Sequence, residues 1–268
     1  MAELKNTMEI FKLLDKSNCR ECNEKTCLAF AAAVFKGKRQ IDECPHLDRE
    51  IIEKYSGNMK KAQSVEEDMA DAVAQLKGKI PNLDLTAAAD RVGGRFSDGK
   101  LTIRIFGKNF SVDSTGNFFS DIHINPWIVI PVLNYILKGG GTPVSGEWVP
   151  FRELSNGMVR NSLFQRRCQD PLKRVADKYT DFFADLLDIF DGKQEDNLFD
   201  SDISIVLYPL PLVPMLICYW KPDEGLESSF HLFFDATAED NLHIESIYTL
   251  AAGFVNMFEK IAGRHAVK

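Results

Sequence analysis

Three cysteines within nine positions constrain this chain more than any other feature: they lie in SNCRECNEKTC, residues 17 to 27. A fourth follows in ECPH, giving Cys19-x2-Cys22-x4-Cys27-x16-Cys44 with Pro45 directly behind. A disulfide knot, a zinc site, an iron–sulfur cluster and chance are the four readings. A chain of 268 residues, 45% of them hydrophobic, has ample core and needs no disulfides. Its opening, MAELKNTMEIFKLLDKS, is amphipathic and charged throughout, with no apolar stretch and no small-residue cleavage site. A cytoplasmic protein is therefore expected, and in a reducing compartment clustered cysteines read first as metal ligands or redox groups.

Ligand spacing separates the metals. A 4Fe-4S cubane needs four thiolates around four iron corners; two- and four-residue gaps let one loop wrap three of them, and the fourth returns after an intervening element. Residues 28 to 37 are such an element. Structural zinc usually draws two well-separated ligand pairs, and here there is one knuckle, a close third cysteine and a single distant fourth. The cubane on Cys19, Cys22, Cys27 and Cys44 is the better match; zinc stays the alternative, with His46 as a spare ligand. Cys27 opens the alanine-rich stretch CLAFAAAVFKGK with Thr26 as its expected N-cap, which turns a helix's positive end toward the site. Oxidised, a cubane with four thiolates carries about two negative charges, which such a terminus stabilises.

The first fifty residues hold nine basic and nine acidic side chains, so the rest of the chain carries the whole net charge of −7. That balance by itself describes an ordinary solvated surface, and the acidic total argues against a general nucleic-acid binder. The longest apolar run, ISIVLYPLPLVPMLICYW (203–220), is interrupted by Pro209, Pro211 and Pro214. Two buried strands around a proline-rich corner fit it better than a membrane span.

The pattern along the chain predicts an α+β protein: a cluster module over 1–60, a connecting helix over 61–85, and an α+β domain with antiparallel strands over 86–268. KLTIRIFGKNFSVDSTGNFFS alternates as a hairpin or meander. NPWIVIPVLNYILKGGG reads as a helix with Asn125 as N-cap, Pro126 at its first position and a glycine stop, kinked or delayed by Pro131. DPLKRVADKYTDFFADLLDIFDG predicts one amphipathic helix from Asp170 to about Phe190. Strands are expected near 203–208, 213–220 and 230–234, then a last helix near 242–262.

Elsewhere the residues carry little chemistry. Cys218 reads as a small buried hydrophobe, and Cys168 as core in spite of Arg166 and Arg167 beside it. The histidines form no metal-type pair. KGGGTP lacks the ending of a phosphate loop and reads as a helix stop and turn. Trp148, Phe151, Arg152 and Glu153 either line a pocket or anchor a loop. No catalytic residues stand out.

TMEIFKLLDKSNCRECNEKTCLAFAAAVFKGKRQIDECPHL resembles the small iron–sulfur module of the corrinoid iron–sulfur protein large subunit, part of the acetyl-CoA decarbonylase/synthase system. It is also similar to a module in the B subunit of Rnf-type electron-transport complexes. The shared pattern is carried by Asn18, Cys19, Cys22, Thr26, Cys27, Ala29 to Ala33, Gly37, Cys44 and Pro45, over about residues 8–50. Where relatives commonly place glycine after the first two cysteines, this chain has Arg20 and Asn23. VLNYILKGGGTPVSGEWVPFRELSNGMV and LPLVPMLICYW are similar to an uncharacterised domain of unknown function that often follows such modules in anaerobic bacteria. The resemblance implies a 4Fe-4S protein of anaerobic one-carbon and corrinoid metabolism. It would transfer electrons to, or reductively activate, a redox or corrinoid protein partner, and a corrinoid is a further implied cofactor. The competing reading is a binding or sensing module with a structural cluster, whose larger domain takes a ligand or partner protein. An enzyme with a pocket around Trp127, Trp148 and His123 is the third.

Overall fold

The computed structural model describes residue 4 and residues 6–55, 65–179 and 181–265. It divides into two compact units, Met1–Ala70 and Asp71–Lys268.

The first unit is helical. Helix α1 (Thr7–Leu13) is capped by Asn6, which accepts the Glu9 N–H, and buries Ile10. Helix α2 (Cys27–Phe35) ends at Gly37, which takes φ 64°. There the Gly37 and Lys38 N–H groups return to the Val34 and Ala33 carbonyls, a closure that needs a left-handed residue. A short 3₁₀ turn at Ile41–Glu43 and helix α3 (Arg49–Tyr55) follow. Ile10, Leu14, Phe30, Ala31, Val34, Ile41 and Leu47 form its core. Of the connecting helix expected over 61–85, residues 61–64 lie outside the described residues; helix α4 (Val65–Lys77) covers its middle, and a 3₁₀ turn at Ile80–Asn82 follows.

In the second unit helix α5 (Leu85–Arg91), capped by Asp84, leads into a four-stranded antiparallel sheet. Its strands are β1 (Arg95–Ser97), β2 (Lys100–Ile105), β3 (Lys108–Asp113) and β4 (Phe118–Ser120). Helix α6 (Pro126–Lys138) starts at Asn125 and stops at Gly139, as expected, but it runs through Pro131 with neither delay nor break. Pro131 is buried among the apolar side chains that hold the helix in place, and this packing offsets the missing backbone donor.

Strand β5 (Trp148–Pro150) is followed by helix α7 (Gly157–Phe164), a π-helical turn at Gln165–Gln169 and helix α8 (Asp170–Lys178). The single helix expected to reach Phe190 ends at Tyr179, whose backbone is extended at φ −101°, ψ 103°. Helical structure resumes in α9 (Phe182–Asp188). Tyr179 is buried and donates its hydroxyl to the Asp185 carboxylate, six residues on, at 2.7 Å, a local link formed where the helical pattern is broken.

A five-stranded antiparallel sheet of order β5-β9-β8-β7-β6 closes the unit, built with β6 (Lys193–Glu195), β7 (Ile203–Leu210), β8 (Val213–Trp220) and β9 (Ser229–Asp235). The proline-rich corner is the β7–β8 turn, and a register shift lies between Leu207 and Leu210, where Pro209 needs no ladder donor. Ile205, Leu207, Met215, Ile217, Leu232 and Phe234 face the main core, and Val206, Leu216 and Cys218 form a second cluster on the other face. Burial on both faces explains why 203–220 reads as an almost continuous apolar run. A short helix α10 (Ala238–Asn241) and the long helix α11 (Ile244–His265) complete the chain. α11 packs on α6. Where they cross, a Cβ added at Gly253 would stand 3.1 Å from the Trp127 Cβ. The architecture is α+β, as the sequence predicts.

Candidate metal centre

The cysteine loop departs sharply from ordinary backbone. Lys16, Asn18, Arg20 and Asn23 all take left-handed φ, of 65°, 53°, 68° and 61°. Arg20 and Asn23 are the residues standing where the resembled module has glycine, so the chain keeps a glycine-like path with side chains that strain it. Asparagine adopts this conformation most readily among non-glycine residues, which suits Asn18 and Asn23; no such preference covers Arg20.

Two short links lock the loop to α2. The Cys27 N–H donates to Asn18 Oδ1 at 2.8 Å, and the Asn18 N–H donates to Cys27 Sγ at 3.3 Å. Thr26 caps the helix, its hydroxyl oxygen accepting the Ala29 N–H at 3.0 Å. Cys27 is thus the first helical residue, held at the positive end of α2. Asp15 lies 3.8 Å from Cys27 Sγ, and its carboxyl is held below the usual range by the Ser17 N–H and hydroxyl.

Cys22, Cys27 and Cys44 are buried in one cluster with the core of the unit, whereas Cys19 is exposed. Burial pushes the Cys44 thiol up; the His46 N–H opposes that push, and the neighbouring Cys22, Asp15 and Cys27 add to it. At the solvent side Cys19, Glu21 and His46 bring one ligand atom each within 4.8 Å of the others, and His46 Nε2 pairs with Glu21 at 3.2 Å. Sequence reasoning placed His46 at the site and passed over Glu21; its position two residues after Cys19 was the available signal.

The other residues singled out disperse. Cys168 has no exposed surface and its thiol is pushed up to about 12 by burial, which outweighs any help from Arg166 and Arg167. Cys218 is buried in the sheet. The glycine run after α6 is a turn: the Gly141 and Thr142 N–H groups both donate to Asn241 Oδ1 at 3.0 Å. Phe151 anchors its loop by stacking on Phe164 at 4.1 Å. His123 and Trp127 line one cleft, but Trp148 belongs to the opposite face of the five-stranded sheet, so the three do not share a pocket.

The arrangement defines a cysteine-rich metal-centre module joined to a larger α+β domain. Residues 84–257 match the family described as "Domain of unknown function (DUF3786)", more than half of the chain, and the protein belongs to that family. Residues 14–46 match a family model described as "Putative Fe-S cluster". Forty residues are 50% identical to the corrinoid/iron-sulfur protein large subunit of Moorella thermoacetica, covering 15% of this chain and 9% of that protein. Acetyl-CoA decarbonylase/synthase complex subunit gamma of Methanocaldococcus jannaschii is 41% identical over 49 residues, 18% of this chain and 10% of that subunit. The same subunit of Methanopyrus kandleri is 41% identical over 54 residues, 20% and 12% of the two chains. The chain therefore spans about a tenth of the length of these curated relatives. No solved structure matches it. Among the described residues, no helix is long and apolar enough to cross a membrane.

Proposed function

We propose that Cys19, Cys22, Cys27 and Cys44 hold a 4Fe-4S cluster and that the protein passes single electrons to a redox or corrinoid protein partner in anaerobic one-carbon metabolism. The observation that carries this reading is the burial of Cys22, Cys27 and Cys44 in one cluster although Cys44 is distant in sequence. Thiolates are the ligands iron–sulfur clusters require, so the donor set fits the group. The left-handed turns of the loop and the amino end of α2 supply the curvature and the positive field that a negative centre needs. When bound, a cubane supplies a one-electron couple whose potential can lie low enough for cobalt in a corrinoid.

The chain's own residues set the rest. Asn18 fixes the position of Cys27 and donates to its sulfur, an interaction that favours the more negative, reduced state. Exposed Cys19 leaves one side of the loop open to a docking partner, with Arg20 beside it as a cation. The relatives whose printed names include corrinoid/iron-sulfur protein and acetyl-CoA decarbonylase/synthase support the metabolic setting.

The second reading, a structural cluster beside a ligand-binding domain, draws on the cleft at Trp127 in the larger unit. Anaerobic mixing of the chemically reduced protein with a corrinoid protein separates the two. Electron transfer predicts loss of the reduced cluster's signal, matched by cobalt reduction. A cluster that cannot be reduced at any accessible potential would overturn the redox reading and leave the structural one.

A further inference from the structure

The cleft in the larger unit has a volume of about 690 Å³. That is within the range of roughly 300–1,000 Å³ typical of small-molecule sites. Buried Phe106 and Phe190, edge to face at 5.9 Å, form its floor, with half-buried Trp127 beside them. Exposed His123 and Lys260 stand at its rim. Among the described residues no carboxylate lines it, in a chain whose net charge is −7. The amino end of α6, a 13-residue helix, opens at the same place and adds positive potential.

Asn125 stands at the same end of α6. It occupies the N-cap position of α6, yet its side chain caps nothing. Its Oδ1 is buried and has no hydrogen-bond partner among the described residues, while Nδ2 only reaches the His123 carbonyl at 3.5 Å. A buried acceptor without a donor is costly, and a cap residue ordinarily uses this oxygen on its own helix. Asn125 lines the cleft with the rest of its side chain, while its Oδ1 has no surface open to a ligand.

We propose that this cleft binds a small organic anion: an apolar or aromatic body seated on Phe106, Phe190 and Trp127, and an acidic group at Lys260 and His123. The inference does not depend on the metal centre, because every residue it uses lies in the second unit.

A matched pair of dyes tests it on the full chain. 8-Anilinonaphthalene-1-sulfonate has the aromatic body, the anionic group and an N–H; N-phenyl-1-naphthylamine lacks only the sulfonate. The wild-type chain should bind the sulfonate at one saturable site. Lys260→Glu, at an exposed position, should weaken the sulfonate about tenfold and leave the neutral dye within about twofold. Met257→Trp, which fills the cleft from α11, should weaken both about tenfold with an unchanged melting temperature. Unsaturable binding, sulfonate affinity indifferent to Lys260→Glu, or binding that survives Met257→Trp would overturn the proposal.

Discussion

Asn18 and Asp113 show how much single polar side chains decide in this chain. Asn18 combines a left-handed φ of 53° with a reciprocal pair of hydrogen bonds to Cys27. Alanine there loses the 2.8 Å bond and pays for a conformation it dislikes, about 1–2 kcal/mol for the backbone alone. Asn18→Ala should retain less iron after anaerobic gel filtration and, in the fraction that retains it, show a shifted reduction potential; Asn18→Gly, which keeps the backbone, should fall between. Equal iron and potential in all three proteins would show the clasp to be idle. Asp113 closes the β3–β4 turn, its carboxylate accepting from the Thr115 hydroxyl at 2.7 Å and from the Asn117 and Thr115 N–H groups at 2.9 Å. The Thr115 hydroxyl first, then Asn117, lower its pKa from 3.8 to about 2. Its contribution is therefore complete above about pH 3.8 and is lost as pH falls through about 2. Titration of the Asp113 carboxyl by NMR checks this, and a midpoint near 3.8 would contradict it.

At the scale of elements, α6 is the part around which the second unit is organised. Tyr135 has no exposed surface; it donates to the Val92 carbonyl at 2.8 Å and accepts the Leu212 N–H at 3.1 Å. One hydroxyl thereby joins the end of α5, helix α6 and the β7–β8 turn. Tyr135→Phe strands two backbone groups and should cost about 1–3 kcal/mol. Chemical denaturation reads this as a lower midpoint with an unchanged slope; no change would mean that water replaces the hydroxyl without loss. These elements differed in how far the sequence disclosed them. Pro126 and Gly139 marked the ends of α6 because helix start and stop preferences are local, and Asn125 holds the N-cap position without using its side chain there. Thr26 and Gly37 did the same for α2. The alternating segment from Lys100 to Ser120 disclosed its strands for the same kind of reason. The break at Tyr179 was hidden, since the part-buried link from its hydroxyl to Asp185 leaves no mark in a flanking pattern that is helical on both sides. Pro131 misled as to where the helix begins, because packing that no local rule reveals carries the helix through it.

At the scale of the whole molecule, each unit has its own main apolar core: a small one built around cysteines and a large one built around two antiparallel sheets, with a minor cluster on the outer face of the second sheet. The small site was legible because its chemistry is compressed into residues 15–46, where spacing alone carries the signal. The cleft was not, since Phe106, Trp127, Phe190 and Lys260 are brought together only by tertiary folding. Sequence reasoning reached His123 and Trp127 but joined them to Trp148, which the pleat of the sheet turns to the other face. The central claim is that one iron–sulfur centre occupies the cysteine loop, and the most direct measurement is iron and acid-labile sulfide content with EPR on strictly anaerobic protein. The account predicts about four of each per chain in the wild type and a reducible cluster signal, with iron lost from Cys22→Ala. Colourless, iron-poor wild-type protein, or a Cys22→Ala variant with undiminished iron, would contradict it.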